Sequence, residues 1–153
     1  MLKRIILAFF TIWIIYAVGN LSVIYFRIYH SHKEAEVQLN KQLAEQERID
    51  KLTVQEILKE VPPKYGVKVA VAESVTKCES THNPKAINYH DGGYGKHSVG
   101  LWQYQSSTWN YWSKKYGEKL DINSAYDQTK LASYMLSKNQ GHQWTCYRKI
   151  YNV

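Results

Sequence analysis

Glu79 is the residue whose type and position point most directly to chemistry. Between Val67 and Ser80 the apolar residues Val71, Ala72, Val75 and Cys78 recur at helical spacing, and Glu79 falls four residues after Val75 and seven after Ala72. That spacing predicts a carboxylate on the core-facing side of a helix. The residue before Pro84 is steered out of the α region, so the helix is expected to end near Asn83, where the negative end of its dipole also acts on Glu79. Burial and that dipole both raise a carboxyl pKa. An acid that keeps its proton near neutral pH is what general-acid catalysis requires. The same side chain could instead bend outward at a frayed helix end or belong to a structural network.

The residues around and after Glu79 narrow the chemistry. The run Cys78-Glu79-Ser80, then Asn83-Pro84-Lys85-Ala86-Ile87-Asn88, a Gly-rich loop, Ser98-Val99-Gly100-Leu101-Trp102-Gln103 and Thr108-Trp109 resembles the lysozyme-like domain of lytic transglycosylases of the soluble-lytic-transglycosylase type. The resemblance covers roughly Val54 to Arg148 and rests on the order and spacing of Glu-Ser, Asn-Pro-x-Ala-x-Asn and Ser-x-Gly-Leu-x-Gln. It implies a mainly α, α+β lysozyme-like fold with a loop or hairpin lobe, and Glu79 as the catalytic acid. It also implies a glycan cleft lined by Gln103, whose amide would bind sugar, and by Gly100, which would let backbone approach it. Ser98, Asn88 and Tyr104 are further substrate-binding candidates, each as able to fix the loop. In one respect the chain departs from the family. Many members carry an Ala-Tyr-Asn segment whose Tyr helps hold the reacting sugar, and here the nearest counterparts, Tyr147 and Tyr151-Asn152, lack that context.

Glycosidases usually need a second carboxylate. Asp91 is the only acid in the loop expected to cross the cleft, but Asp91-Gly92-Gly93 is also ordinary turn chemistry, and Asp121 and Asp127 sit where acids cap helices. The resemblance therefore implies chemistry by one acid and no cofactor. Glu79 would protonate the oxygen linking N-acetylmuramic acid to N-acetylglucosamine, then take the proton of the muramic C6 hydroxyl as a 1,6-anhydro ring closes. Trp102, Trp109, Trp112 and Trp144 offer stacking faces, although Trp109 and Trp112 stand at the spacing of a helix core. His82, His90 and His97 with Cys78 match no compact zinc pattern, so no metal is expected.

The elements that must position these residues are helical. Val54, Ile57, Leu58 and Val61 form a core-facing stripe ended by Pro62-Pro63; Ser106 or Ser107 can cap a helix to Tyr116, stopped by Gly117; Asn123 can cap another through Leu136, ended by Gly141. The loop from Asn83 to Lys96 has room for a short hairpin at its Asp-Gly-Gly. Residues 53–153 thus read as the catalytic domain. Residues 31–52, charged and free of Gly and Pro, read as a helical stalk. Residues 1–30 read as a membrane anchor, because Ile5 to Phe26 carries no charge, although Ala17-Val18-Gly19 also resembles a signal-peptide cleavage site.

The net charge of +7 is uneven: four cations and no acid over residues 1–33, four against seven over 34–60, and twelve against six over 61–153. A basic, aromatic-rich domain suits an acidic wall polymer or nucleic acid, but no nucleic-acid motif is present. The expected partners are peptidoglycan glycan strands, the membrane through the N-terminal helix, and cell-envelope assembly proteins, with the domain on the extracytoplasmic side of the cytoplasmic membrane. Cys78 and Cys146 would be bonded in such an oxidising compartment, or else remain two buried thiols. A muramidase and a non-catalytic wall-binding scaffold are the alternatives.

Overall fold

The computed structural model of the protein describes residues 2–91 and 96–152, with side chains at 13, 16, 18–91 and 96–152. The chain divides into two compact units, Met1–Asp50 and Lys51–Val153.

In the first unit, one helix, α1, runs unbroken over Leu2–Asp50. The composition suggests anchor and stalk as separate segments, but no Pro interrupts the sequence and the charged half supplies its own local pairs, among them Arg48 with Glu45 at 2.8 Å. Among the described residues no helix is long and apolar enough to cross a membrane. The anchor expected over residues 1–30 falls in large part on side chains outside the described residues. Those that are described within it, including Trp13, Tyr16, Tyr25 and Tyr29, are exposed.

The second unit opens on a capping box. The Thr53 hydroxyl accepts the Glu56 N–H at 3.3 Å while the Glu56 carboxylate accepts the Thr53 N–H at 2.8 Å, which starts α2 at Val54–Glu60. Ile57, Leu58 and Val61 are buried from this segment as the stripe predicts. A 3₁₀ turn at Pro62–Tyr65 leads to α3, Val69–Ser80. Three two-residue strands come next, β1 Ile87–Asn88, β2 Ser98–Val99 and β3 Tyr104–Gln105, antiparallel in the order β1-β2-β3 with Ile87 opposite Val99 and Val99 opposite Tyr104. The hairpin expected at Asp91-Gly92-Gly93 lies between β1 and β2, with its glycines outside the described residues. Then come α4 at Ser106–Tyr116, α5 at Ala125–Ser137, a 3₁₀ turn at Gly141–Gln143 and α6 at Thr145–Tyr151.

Two caps differ from expectation. Gln105 occupies the N-cap of α4, so Ser106 is already inside the helix; Ser124 rather than Asn123 caps α5, accepting the Asp127 N–H at 3.2 Å. In addition α5 stops at Ser137, four residues before Gly141, which instead begins the 3₁₀ turn. The core gathers Leu58, Ala72, Val75, Leu101, Leu131 and Met135 around an aromatic stack. In that stack Tyr104 lies 5.1 Å from Trp109 and 5.8 Å from Trp144, edge to face, and Trp144 lies 5.4 Å from Trp102. The Trp144 indole N–H donates to Trp102 O at 2.9 Å, and the Ser80 hydroxyl donates to Leu101 O at 2.8 Å, so the stack is tied to the end of α3.

Candidate active site

Glu79 sits in the last turn of α3 and is half-buried. The buried face of the helix is Ala72, Val75, Thr76 and Ser80, whereas Val71 is only partly covered and Cys78 is exposed. Glu79 therefore lies at the margin of the core rather than in it. The helix ends at Ser80, three residues sooner than the steering by Pro84 predicts. Thr81 and His82 both take left-handed backbone, with φ 55° and 61°, a region that a β-branched Thr rarely enters. The turn is held by Thr81 N–H to Lys77 O at 3.0 Å, His82 N–H to Thr76 O at 3.3 Å, and the His82 ring on Glu73 O at 3.0 Å. A left-handed residue is a common way for a helix to end, and its occupation by Thr rather than Gly is a local backbone cost two residues after the candidate acid.

A second element fixes the carboxylate. The backbone N–H of Cys146 donates to Glu79 Oε1 at 3.0 Å. Cys146 is the second residue of α6, where a helix N–H has no partner within the helix and is free for this use. The Cys78–Cys146 disulfide, with Cα atoms 5.8 Å apart, brings α6 to that position. Burial is the largest influence on Glu79 and raises its pKa; the Cys146 N–H opposes it, the charge of Asp91 adds to the rise, and Lys149 and Arg148 pull the other way. The net direction is upward. Asp91, half-buried at the end of the β1 side of the loop, is thus close enough to act electrostatically on Glu79, while Asp121 and Asp127 serve the start of α5, where the Asp127 carboxylate accepts the Asp121 N–H at 2.9 Å.

The Ser98–Gln103 segment packs against the end of α3 through that Ser80 bond to Leu101 O. Within it, Gln103 spends both amide hydrogens internally, on Gly100 O at 2.9 Å and Ala86 O at 3.2 Å, and its carbonyl accepts the buried Ser98 hydroxyl at 2.8 Å. Gln103 and Ser98 hold the loop together in this geometry. Gly100 takes φ 80°, and a Cβ there would collide with the Gln128 amide, so the missing side chain permits a close approach to Gln128. Asn88 is exposed and closes an Asx turn with the His90 N–H at 3.1 Å. Tyr104 is a core residue, its hydroxyl against Met135 Sδ at 3.5 Å, and burial pushes its pKa far up. Trp102, Trp109, Trp112 and Trp144 are all buried, and none offers a widely open face for a sugar. Cys78 is committed to the disulfide and the His82 ring to Glu73 O; among the described residues no group of three His, Cys, Asp or Glu could hold a metal ion.

Gln128 belongs to this framework although no motif marks it. Fully buried on α5, it accepts the Trp102 N–H at 2.9 Å and donates to Ile122 O at 2.6 Å, so its amide bolts the glycine loop to the helical core. Its signal in the sequence is a polar residue on the apolar face of α5, one position before Thr129. Thr129 in turn accepts the Trp102 indole N–H at 3.1 Å. Tyr147 on α6 packs against Gly141 and lies 4.7 Å from the Tyr151 ring.

Residues 56–148 match the family described as the transglycosylase SLT domain. No curated protein and no solved structure matches the chain.

Proposed function

The chain belongs to the transglycosylase SLT domain family, and we propose from its site that it is a peptidoglycan lytic transglycosylase in which Glu79 supplies both acid and base. The observation that carries this reading is a half-buried carboxyl, raised in pKa and fixed by a single backbone N–H, at the end of a helix that meets the glycine loop. Glu79 in its protonated form gives its proton to the oxygen between N-acetylmuramic acid and N-acetylglucosamine, and the bond from that oxygen to the muramic C1 breaks. The substrate's own acetamido group supports the positive C1. The C6 hydroxyl then attacks C1 and passes its proton to the Glu79 carboxylate, which restores the acid and leaves a 1,6-anhydro ring. An internal hydroxyl already held beside the reacting carbon has the advantage of proximity over water.

Glu79→Gln keeps the shape but has no proton to donate. Cleavage of purified sacculi should fall about 10²- to 10⁴-fold, as loss of a general acid does. A variant retaining more than roughly a tenth of the rate would remove Glu79 from this role.

A second reading is favoured by one observation, the electrostatic reach of Asp91 to Glu79. Two carboxylates in one cleft could run a hydrolytic, muramidase-type reaction. The apolar, uncharged stretch from Ile5 to Phe26 supports placing the chain in the cytoplasmic membrane, and the Cys78–Cys146 disulfide together with a wall substrate supports placing the domain outside. There it would reach the wall and any envelope assembly partners. Recovery of the full-length chain in a soluble fraction would refute that location.

A further inference from the structure

We propose that the Cys78–Cys146 bond is a thiol–disulfide exchange site, opened from its Cys78 side by a dithiol, and that its reduction releases α6 and disables Glu79; this rests on the lytic reading above. Cys78 is an exposed residue near the end of α3, whereas Cys146 is buried. An incoming thiolate therefore meets the Cys78 sulfur first. Exposed disulfides are the labile, regulatory kind. Both cysteines of the chain are in this bond, so a reductant has no other target in the protein. Exchange proceeds in two steps. One thiolate of the dithiol attacks Cys78 Sγ, a mixed disulfide forms, and Cys146 leaves as a thiolate that takes a proton from water. The second thiolate of the dithiol then attacks the reductant's own sulfur in the mixed disulfide, and Cys78 leaves and is protonated in turn. Two electrons pass to the protein, and the dithiol departs as a disulfide.

The bond is the main anchor of α6. Cys146 is the one fully buried residue of this helix. Tyr147 is half-buried against Gly141, and Thr145, Arg148, Lys149, Ile150 and Tyr151 are exposed. The Arg148 guanidinium bonds only within α6 and its preceding turn, donating to His142 O at 2.8 Å and to Thr145 Oγ1 at 3.1 Å. The chain just before α6 is pinned separately, by the Trp144 indole N–H on Trp102 O at 2.9 Å. Loosening therefore starts after Trp144 and leaves the aromatic stack in place. An isolated helix shorter than about 12–15 residues is marginal in water, and α6 has seven. Without the bond it does not keep its position, and the Cys146 N–H that holds Glu79 Oε1 at 3.0 Å leaves with it. A reacting group misplaced by about 1 Å costs on the order of 10²-fold in rate. The other end of the bond adjoins Glu79 in sequence, so the acid is gated from both sides by one covalent link.

The test uses the full-length chain in detergent, oxidised or treated with dithiothreitol, at a temperature below the unfolding of the reduced form. Thiol counting reads the bond, near-ultraviolet circular dichroism of the buried tryptophans reads the core, and hydrogen–deuterium exchange over residues 145–151 reads α6. Reduction should free both thiols, raise exchange over 145–151, keep most of the tryptophan signal and slow cleavage of sacculi about 10- to 100-fold. Removal of the reductant and reoxidation with oxidised glutathione should restore the rate. Cys78→Ala with Cys146→Ala should cleave at the reduced rate whether or not dithiothreitol is present. A bond that stays closed in the folded protein, or an unchanged rate once both thiols are free, overturns the proposal. So does loss of the tryptophan signal in step with the rate, which would make the bond a staple of the whole domain. Raised exchange over 145–151 on reduction, with sacculi left uncleaved by the oxidised chain, would sink the lytic reading alone. Sacculi cleaved equally fast by oxidised and reduced protein would sink the redox control alone.

Discussion

Removal of the Cys78–Cys146 bond should act on stability and on the acid at once. The bond spans 68 residues, most of the second unit. In the chain-entropy model a closed loop of that length restricts the unfolded chain by about 4 kcal/mol. For a domain of about 100 residues each kcal/mol moves Tm by about 4–8 °C, so Cys78→Ala with Cys146→Ala should lower Tm by roughly 15–30 °C. Near-ultraviolet circular dichroism is a suitable probe, because Trp102, Trp109, Trp112 and Trp144 are buried in this unit and lose their fixed surroundings on unfolding. The second effect is read at a temperature where the variant stays folded. The Cys146 N–H favours the charged form of Glu79, so loosening α6 should raise the Glu79 pKa further and move the alkaline limb of the pH–rate profile to higher pH. A fall in Tm below about 5 °C, or an alkaline limb that stays in place, would refute the clamp as described.

Asp91→Asn removes a negative charge that raises the Glu79 pKa, so the alkaline limb should shift to lower pH while the maximal rate on its acid side changes little. A loss in that maximal rate as deep as that of Glu79→Gln would establish the two-carboxylate hydrolase instead. Gly100→Ala should destabilise the domain by about 2–4 kcal/mol in chemical unfolding, from left-handed backbone at φ 80° and displacement of the buried Gln128 amide. A cost under about 1 kcal/mol would mean that the loop yields easily.

The helices are legible in the sequence because their apolar periodicity is strong: the Val54 stripe and the α5 face are where spacing puts them. The setting of Glu79 is legible only in part: helical spacing puts it on the core side of α3, whereas with Cys78 exposed and Val71 partly covered it sits half-buried at the margin of the core. Roles in the loop are not legible, because a sugar-binding amide and a loop-fixing amide look alike in sequence. The difference lies in where the hydrogen bonds go, and Gln103 and Ser98 turn theirs inward. Gly100 misleads for a related reason: the missing Cβ signals a close approach but does not say to what, and the answer, Gln128, is 28 residues away. The end of α3 is hidden too. Pro84 marks where the helix must have stopped, whereas the actual stop comes from left-handed Thr81 and His82, conformations that their residue types do not advertise.

In the proposed reaction one acid, Glu79, closes an internal ring without consuming water. Its most direct test is the mass of the muropeptides released when purified full-length protein is incubated with sacculi. The products should end in 1,6-anhydromuramic acid, each lighter by one water than its hydrolysed counterpart and resistant to borohydride. Release of reducible muramic ends would contradict it.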